Sequence, residues 1–323
     1  MLTCISRDNT QNYSSGLTTL ALRSLENSSR LLFIALIATS LSAQVKTNVQ
    51  RPRILGISHV AIFVSDIGKA RSFYKGVLGF DEPFSLRHPD GTEWMTSIKV
   101  NDQQYLELVA EDSRKAGHLS HFALYTNNVA LMRDYLASRH VEVLKEVHKG
   151  QAGDRFLTVK DPDGHLIEIV EYQPDSLTAR ANGNFMPATR ISNHITHVGI
   201  LVETMGPAMS FYRDILGLEE ISRNSDGQLN WIDMRVPDGS DYVELMVDSA
   251  SPSPDEHKMQ NHIGFASSDV QKTAADLQSR TAGIAFSLST DVQSETSQKR
   301  QVNLFDPDGA RIEFMESGAA TGK

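Results

Sequence analysis

Two segments of this chain carry a carboxylate in the middle of an aliphatic run. KDPDGHLIEIVEY, residues 160–172, sets Glu168 between Ile167 and Ile169, and FDPDGARIEFME, residues 305–316, sets Glu313 between Ile312 and Phe314. In both, the glutamate stands four positions after the glycine of a DPDG turn. A lone glutamate in a half-exposed strand is ordinary, but three further polar residues share its setting. His59 in HVAIFV, Glu107 in YLELV and His121 in HFALY lie in strand-like runs, as do His197, Glu244 and His262 in the matching runs further on. Side chains alternate between the faces of a strand, so His59 shares its face with Ala61 and Phe63 while Val60, Ile62 and Val64 point the other way. The same alternation separates Glu107, His121 and Glu168 from their aliphatic neighbours. Burying two carboxylates beside two imidazoles is costly unless a cation compensates them. Nitrogen and oxygen donors of this kind suit a borderline divalent ion, Fe2+, Mn2+, Ni2+, Co2+ or Zn2+. Cys4 is the only cysteine and leaves with the leader if residues 1–43 are cleaved, so the mature chain would have neither disulfides nor thiolate metal sites.

These residues recur because the sequence is written twice. HVAIFVSDIGKARSFYKGVLGF starts at His59 and HVGILVETMGPAMSFYRDILGL at His197, and each YxEL, second-His and DPDG segment has its counterpart. The chain divides into a first half over 52–172, a polar linker over 173–193 and a second half over 194–317. Within a half the periodicity predicts strand, helix and three strands, then the same order again. For the first half this places strands near 80–87, 92–100, 104–110, 119–125, 141–147, 154–160 and 165–171, with helices after Asp66 and over 128–139. Proline second, aspartate third and glycine fourth make DPDG a tight turn that fixes the register of the strand after it. Trp94 and Trp231 occupy matched third-strand positions, where they pack or line a cavity.

The composition bounds the rest. A chain of 323 residues with 40% hydrophobic and 22% charged residues holds two globular domains, and a formal charge of -9 with no basic tract weighs against nucleic acid as partner. A small-molecule substrate fits better, bound by a monomer that is an internal pseudo-dimer or by a homodimer. Residues 1–43, with LLFIALIATSL at 31–41, read as a signal peptide, which places the mature protein outside the cytoplasm, periplasmic or secreted. An uncleaved segment would instead tether the chain to the membrane.

The set His-Val-x-x-x-Val with SFY and LG, YxEL, a second strand-borne histidine and DPDG-x-x-x-Glu resembles the vicinal oxygen chelate superfamily of glyoxalases, bleomycin-resistance proteins and extradiol dioxygenases. The resemblance covers 54–317. It implies an α+β fold of two tandem glyoxalase-like domains, each a pair of βαβββ units forming a curled, mostly antiparallel eight-stranded sheet with helices on the convex face. It also implies two metal quartets: His59, Glu107, His121 and Glu168, then His197, Glu244, His262 and Glu313.

Three chemistries follow from the resemblance. A lyase or isomerase would stabilise an enediolate on the metal while Glu168 or Glu313 moves the proton, and the two carboxylates of each quartet favour this reading. Glutathione is disfavoured as cosubstrate, since Phe63 and Leu201, then Glu111 and Asp248, stand where the bacterial glyoxalase pattern has Arg and Asn. An iron(II) extradiol dioxygenase is the alternative, with His59, His121 and Glu168, or their equivalents His197, His262 and Glu313, as facial triad; Thr158 and Asn303 replace the tyrosine of that pattern, while His148 lies near its histidine in the first half and nothing replaces it in the second. A protein of this fold that only binds a small molecule is the third. The loops 111–118 and 248–260 are expected to rim the cavity.

Overall fold

The computed structural model describes residues 49–111, 119–249, 260–282, 288–289 and 300–316. The expected leader, most of both rim loops and His118 and His257 lie outside the described residues. Among those described, no helix is long and apolar enough to cross a membrane.

The first sheet takes β1 (Ile54–Val64), β2 (Asp81–Arg87), β3 (Glu93–Lys99), β4 (Tyr105–Ala110), β5 (Leu119–Thr126), β6 (His148–Lys149), β7 (Arg155–Lys160) and β8 (Leu166–Glu171). Across the sheet they stand in the order β2-β3-β4-β1-β5-β8-β7-β6. After the linker come β9 (Ile195–Leu201), β10 (Glu219–Ser225), β11 (Leu229–Arg235), β12 (Tyr242–Asp248), β13 (His262–Ser267), β14 (Leu288–Ser289), β15 (Gln301–Phe305) and β16 (Arg311–Glu316). Their order, β10-β11-β12-β9-β13-β16-β15-β14, repeats the first. Each sheet is mixed: β1 runs parallel to β4 and antiparallel to β5, and β5 runs parallel to β8.

The aliphatic face of each sheet meets the helices. Val60, Ile62 and Val64 are buried in one core with Ala70, Phe73 and Met132, as are Val198 and Ile200 with Ala208 and Phe211. Asp66 caps the helix α1 (Ile67–Arg71) by accepting from the Lys69 backbone N–H at 3.0 Å, and Asn128 caps α2 (Val129–Ser138) in the same way at 2.9 Å. The SFY segment departs from the expected plain helix. Ser72–Val77 forms a π-helical turn, as does Ser210–Ile215 after the helix Met205–Met209. The wider turn brings the adjacent rings Phe73 and Tyr74 inward together, and both are fully buried.

The predicted strand over 141–147 is not formed. Only His148 and Lys149 pair with β7, at the sheet's outer edge. Val141, Val143 and Val147 still rest against the core, while Leu144 is exposed, so the alternation that suggested a strand reflects packing without a ladder. A short last strand leaves little open edge for other chains to pair with.

Both DPDG turns reach across to the other half. Gly164 and Gly309 take positive φ, +88° and +90°, as the turn requires. The first aspartate closes each turn by accepting from the backbone N–H groups two and four residues on. Its other oxygen accepts from a tyrosine of the opposite SFY segment: Tyr212 to Asp161 at 3.0 Å, and Tyr74 to Asp306 at 3.1 Å. The third residue repeats the exchange, with Asp163 accepting from Glu203 N–H and Asp308 from Ser65 N–H.

Candidate metal centre

The four central strands of each sheet carry the predicted residues in the order Glu, His, His, Glu. Glu107 stands on β4, His59 on β1, His121 on β5 and Glu168 on β8; Glu244, His197, His262 and Glu313 stand likewise on β12, β9, β13 and β16. Register explains how they meet. Ala61 pairs with both Glu107 and His121, and Ala123 pairs with both His59 and Glu168, so a small residue sits between two ligand-bearing positions on adjacent rungs. The imidazoles lean over these alanines toward each other.

In the first half the donor atoms converge. His59 Nε2 lies 3.0 Å from His121 Nε2, and the rings cross at 86°. Glu168 Oε2 is 3.6 Å and 3.9 Å from the two nitrogens, and Glu107 Oε2 is 3.8 Å and 3.7 Å from them. Ions of this class bind such donors at about 2.0–2.2 Å, which sets neighbouring donors roughly 3–3.5 Å apart. The spacing therefore fits one ion. His59, His121 and Glu168 form one group whose donor atoms all lie within 4.8 Å of one another, His197, Glu244 and His262 form another, and Glu107 is as near the first pair of imidazoles as Glu168 is. Each Nδ1 is held from behind by the preceding residue, Ser58 Oγ at 3.4 Å and Ser120 Oγ at 3.2 Å, leaving Nε2 to face the centre.

The electrostatics show what the site lacks. Burial pushes the Glu168 carboxyl up to about 8, helped by the Glu107 charge, and raises Glu107 as well. Burial also lowers His59 to about 3 and His121 to about 4. Among the described residues that line the site there is no lysine or arginine. Two half-buried carboxylates and two neutral imidazoles, with no cationic side chain among the described lining residues, are matched to a bound cation.

The first quartet opens on a cavity of about 330 Å³. Phe84, Trp94, Tyr105, Phe156 and Tyr172 furnish aromatic wall, so Trp94 is a lining residue. Trp94 Nε1–H donates to Gln151 Oε1 at 3.1 Å across the mouth. His148 is exposed at the sheet edge, with its ring 5.6 Å from Phe156. Trp231 lines a different cavity, with Glu203, Met205 and Arg223.

The second quartet is assembled within its own half too. His197 Nε2 and His262 Nε2 are 3.1 Å apart, Glu313 is 3.8 Å and 3.9 Å from them, and Glu244 is 3.5 Å from His262. It is the more deeply buried: His197 and His262 side chains are 0% and 1% exposed, against 10% and 15% for His59 and His121. Each set of four residues is thus drawn from a single half. Asp161, Asp163 and His165 form a third cluster able to hold an ion. There Asp161 is already engaged by His165, Tyr212 and the turn N–H groups.

Sequence reasoning missed the serines behind the histidines, Tyr172 in the wall, and Arg311, which reaches Glu313 in the second half. Only Arg311 left a signal: two residues before Glu313, it shares that strand face, where the first half has Leu166.

The model of the Glyoxalase/Bleomycin resistance protein/Dioxygenase superfamily matches residues 56–169 and again 194–314. The chain belongs to this superfamily. Within it, the chain is 29% identical over 126 residues to the mitochondrial methylmalonyl-CoA epimerase of Bos taurus, covering 35% of this chain and 72% of that protein. It is 23% identical over 218 residues to Metapyrocatechase 2 of Cupriavidus necator, covering 62% of this chain and 64% of that protein. Homoprotocatechuate 2,3-dioxygenase of Brevibacterium fuscum, solved with 3,4-dihydroxyphenylacetate, is similar in structure at TM-score 0.63 and 18% identity, over 86% of this chain and 85% of that one. At that identity the likeness speaks for the fold. Superfamily membership and the clusters of donors together support a metal-dependent enzyme acting on a small substrate.

Proposed function

We propose that the protein is an iron(II)-dependent extradiol ring-cleaving dioxygenase acting on a single-ring aromatic diol, with its reaction centre in the first half. The observation that carries this is that His59, His121 and Glu168 converge on the floor of an aromatic-walled cavity. These three residues would hold an iron(II) ion and leave it able to take up small oxygen ligands such as a diol. The volume and aromatic walls suit a flat ring better than a long thioester or peptide conjugate. The dioxygenase named above supports this reading over the lyase or isomerase that the four-residue quartet suggests.

When bound, iron(II) would supply Lewis acidity and one-electron chemistry toward dioxygen. The chain's own residues do the rest. His59 and His121, neutral and held at Nδ1, orient the centre, while Phe84, Trp94 and Phe156 exclude water and flank the ring. Glu107, raised by burial and facing the same centre, accepts the proton that a diol hydroxyl loses on binding. In the overall reaction the carbon–carbon bond beside the diol breaks and both atoms of one dioxygen enter the product.

The second reading, a glyoxalase-like lyase or isomerase, is favoured by Glu107 itself. At 3.7–3.8 Å from both imidazole nitrogens it is near enough to be a fourth ligand. If all four residues held the ion, it would serve as a Lewis acid toward an oxygen-rich substrate.

An oxygen electrode separates the two. Protein reconstituted anaerobically with iron(II) should consume one dioxygen per diol across a panel of simple catechols and yield products heavier by two oxygen atoms. Failure to consume oxygen, together with metal-dependent exchange of a carbon-bound proton of a hydroxy-carbonyl substrate in heavy water, would establish the second reading instead.

A further inference from the structure

We infer that the second quartet is a closed, guanidinium-neutralised counterpart of the first, in which Arg311 supplies the positive charge that a metal supplies in the first half. The inference rests on the reading that the first quartet binds a divalent ion. It is carried by three differences between halves that otherwise share one strand order.

The first is the cation. Arg311 Nη2 donates to Glu313 Oε2 at 2.7 Å, and this oxygen is the one that lies 3.9 Å from His262 Nε2. The guanidinium is steadied by its Nε–H bond to Asn303 Oδ1 at 2.9 Å. Leu166 stands at the matching place in the first half and leaves Glu168 without such a partner on its own strand. A guanidinium paired to a buried carboxylate lowers the demand for a second cation there, because the two would repel in a medium of low dielectric constant.

The second is the floor. Gly199 and Gly264 replace Ala61 and Ala123 between the ligand-bearing positions. A Cβ built on Gly199 would come within 2.0 Å of the His262 ring, and one on Gly264 within 1.9 Å of the His197 ring. The second-half imidazoles thus lie down into space that the first half fills with methyl groups.

The third is the lid. The Tyr242 ring stacks on His197 with centroids 4.6 Å apart and planes within 11°, and its hydroxyl contacts Met315 Sδ at 3.3 Å. The matching Tyr105 directs its hydroxyl to Thr178 O, at the wall of the open cavity.

Elemental analysis of the full chain, reconstituted anaerobically with iron(II) and desalted, tests the assignment. Wild type should carry one iron per chain, and His262→Gln should still carry one. Arg311→Leu, which installs the first-half residue, should raise the content to two. Two irons in wild type, or a fall toward zero in His262→Gln, would overturn the inference; so would Arg311→Leu remaining at one while folded. If Arg311→Leu does not fold, wild type and His262→Gln decide the matter. An iron-free wild type would instead sink the functional reading on which the inference rests.

Discussion

The Tyr212 hydroxyl of the second half donates to Asp161, the first residue of the first DPDG turn, at 3.0 Å, and Tyr74 returns the bond to Asp306. The turn that sets the register of Glu168 is thus fastened to the opposite half, and the same holds for Glu313. A buried hydrogen bond to a carboxylate contributes about 1.5–3 kcal/mol, so Tyr212→Phe should lower unfolding stability by about that much. Urea denaturation of Tyr74→Phe, Tyr212→Phe and the double variant provides the check. Loss of less than about 0.5 kcal/mol in each would show that the tyrosines fill space only.

Metal affinity should depend on pH through one group in particular. Glu168, raised to about 8 in the metal-free protein, keeps a proton that the unfolded chain gives up near 4.5. Between those values the metal-free fold binds more protons than the unfolded chain, so its stability falls as pH rises through the window. A cation must displace that proton, and affinity for manganese(II) should rise roughly tenfold per pH unit up to about 8. His59 and His121, lowered to about 3 and about 4, are already neutral and add no slope there. Competition titrations at several pH values would show it; a flat profile would remove Glu168 from the ligand set.

Glu107 distinguishes three protein ligands from four. As a base beside the triad it is dispensable for holding the ion, so Glu107→Gln should retain one iron per chain while kcat falls about 10²-fold or more. Loss of iron from this variant would make Glu107 a ligand and favour the lyase reading.

The aromatic wall makes a separate prediction about recognition. Trp94→Ala removes one side of the slot and the bond to Gln151. KM for a single-ring diol should rise roughly tenfold, about 1.4 kcal/mol of binding, with less change in kcat. An unchanged KM would place the ring elsewhere in the cavity.

Much of this arrangement was legible in the sequence because a strand has a period of two. Once DPDG fixed the register, Glu168 had to share a face with Leu166 and Val170, and the repeat supplied an independent copy of every assignment. Which four polar residues of each half share a sheet face was therefore readable, as was the Asp66 cap, whereas their convergence within one half was not. The sequence favoured a lyase because it displayed four candidate ligands in each half, two of them carboxylates; it gave no account of the cavity, whose lining comes from seven strands and the loop at 150–154. The missing strand at 141–147 shows that alternating valines record one-sided burial, which a loop lying on a core also produces. The pairing of Tyr212 with Asp161 joins residues 51 positions apart across two halves, a relationship that no local pattern encodes. Arg311 was visible in register yet unread, since its significance appears only beside Leu166.

The most direct test of the account is the iron content of Glu168→Gln against wild type after identical anaerobic reconstitution, with folding verified by the thermal transition. The account predicts one iron per chain in wild type and almost none in the folded variant, together with loss of diol-dependent oxygen uptake. A folded Glu168→Gln protein that kept its iron and consumed oxygen with catechols would contradict it.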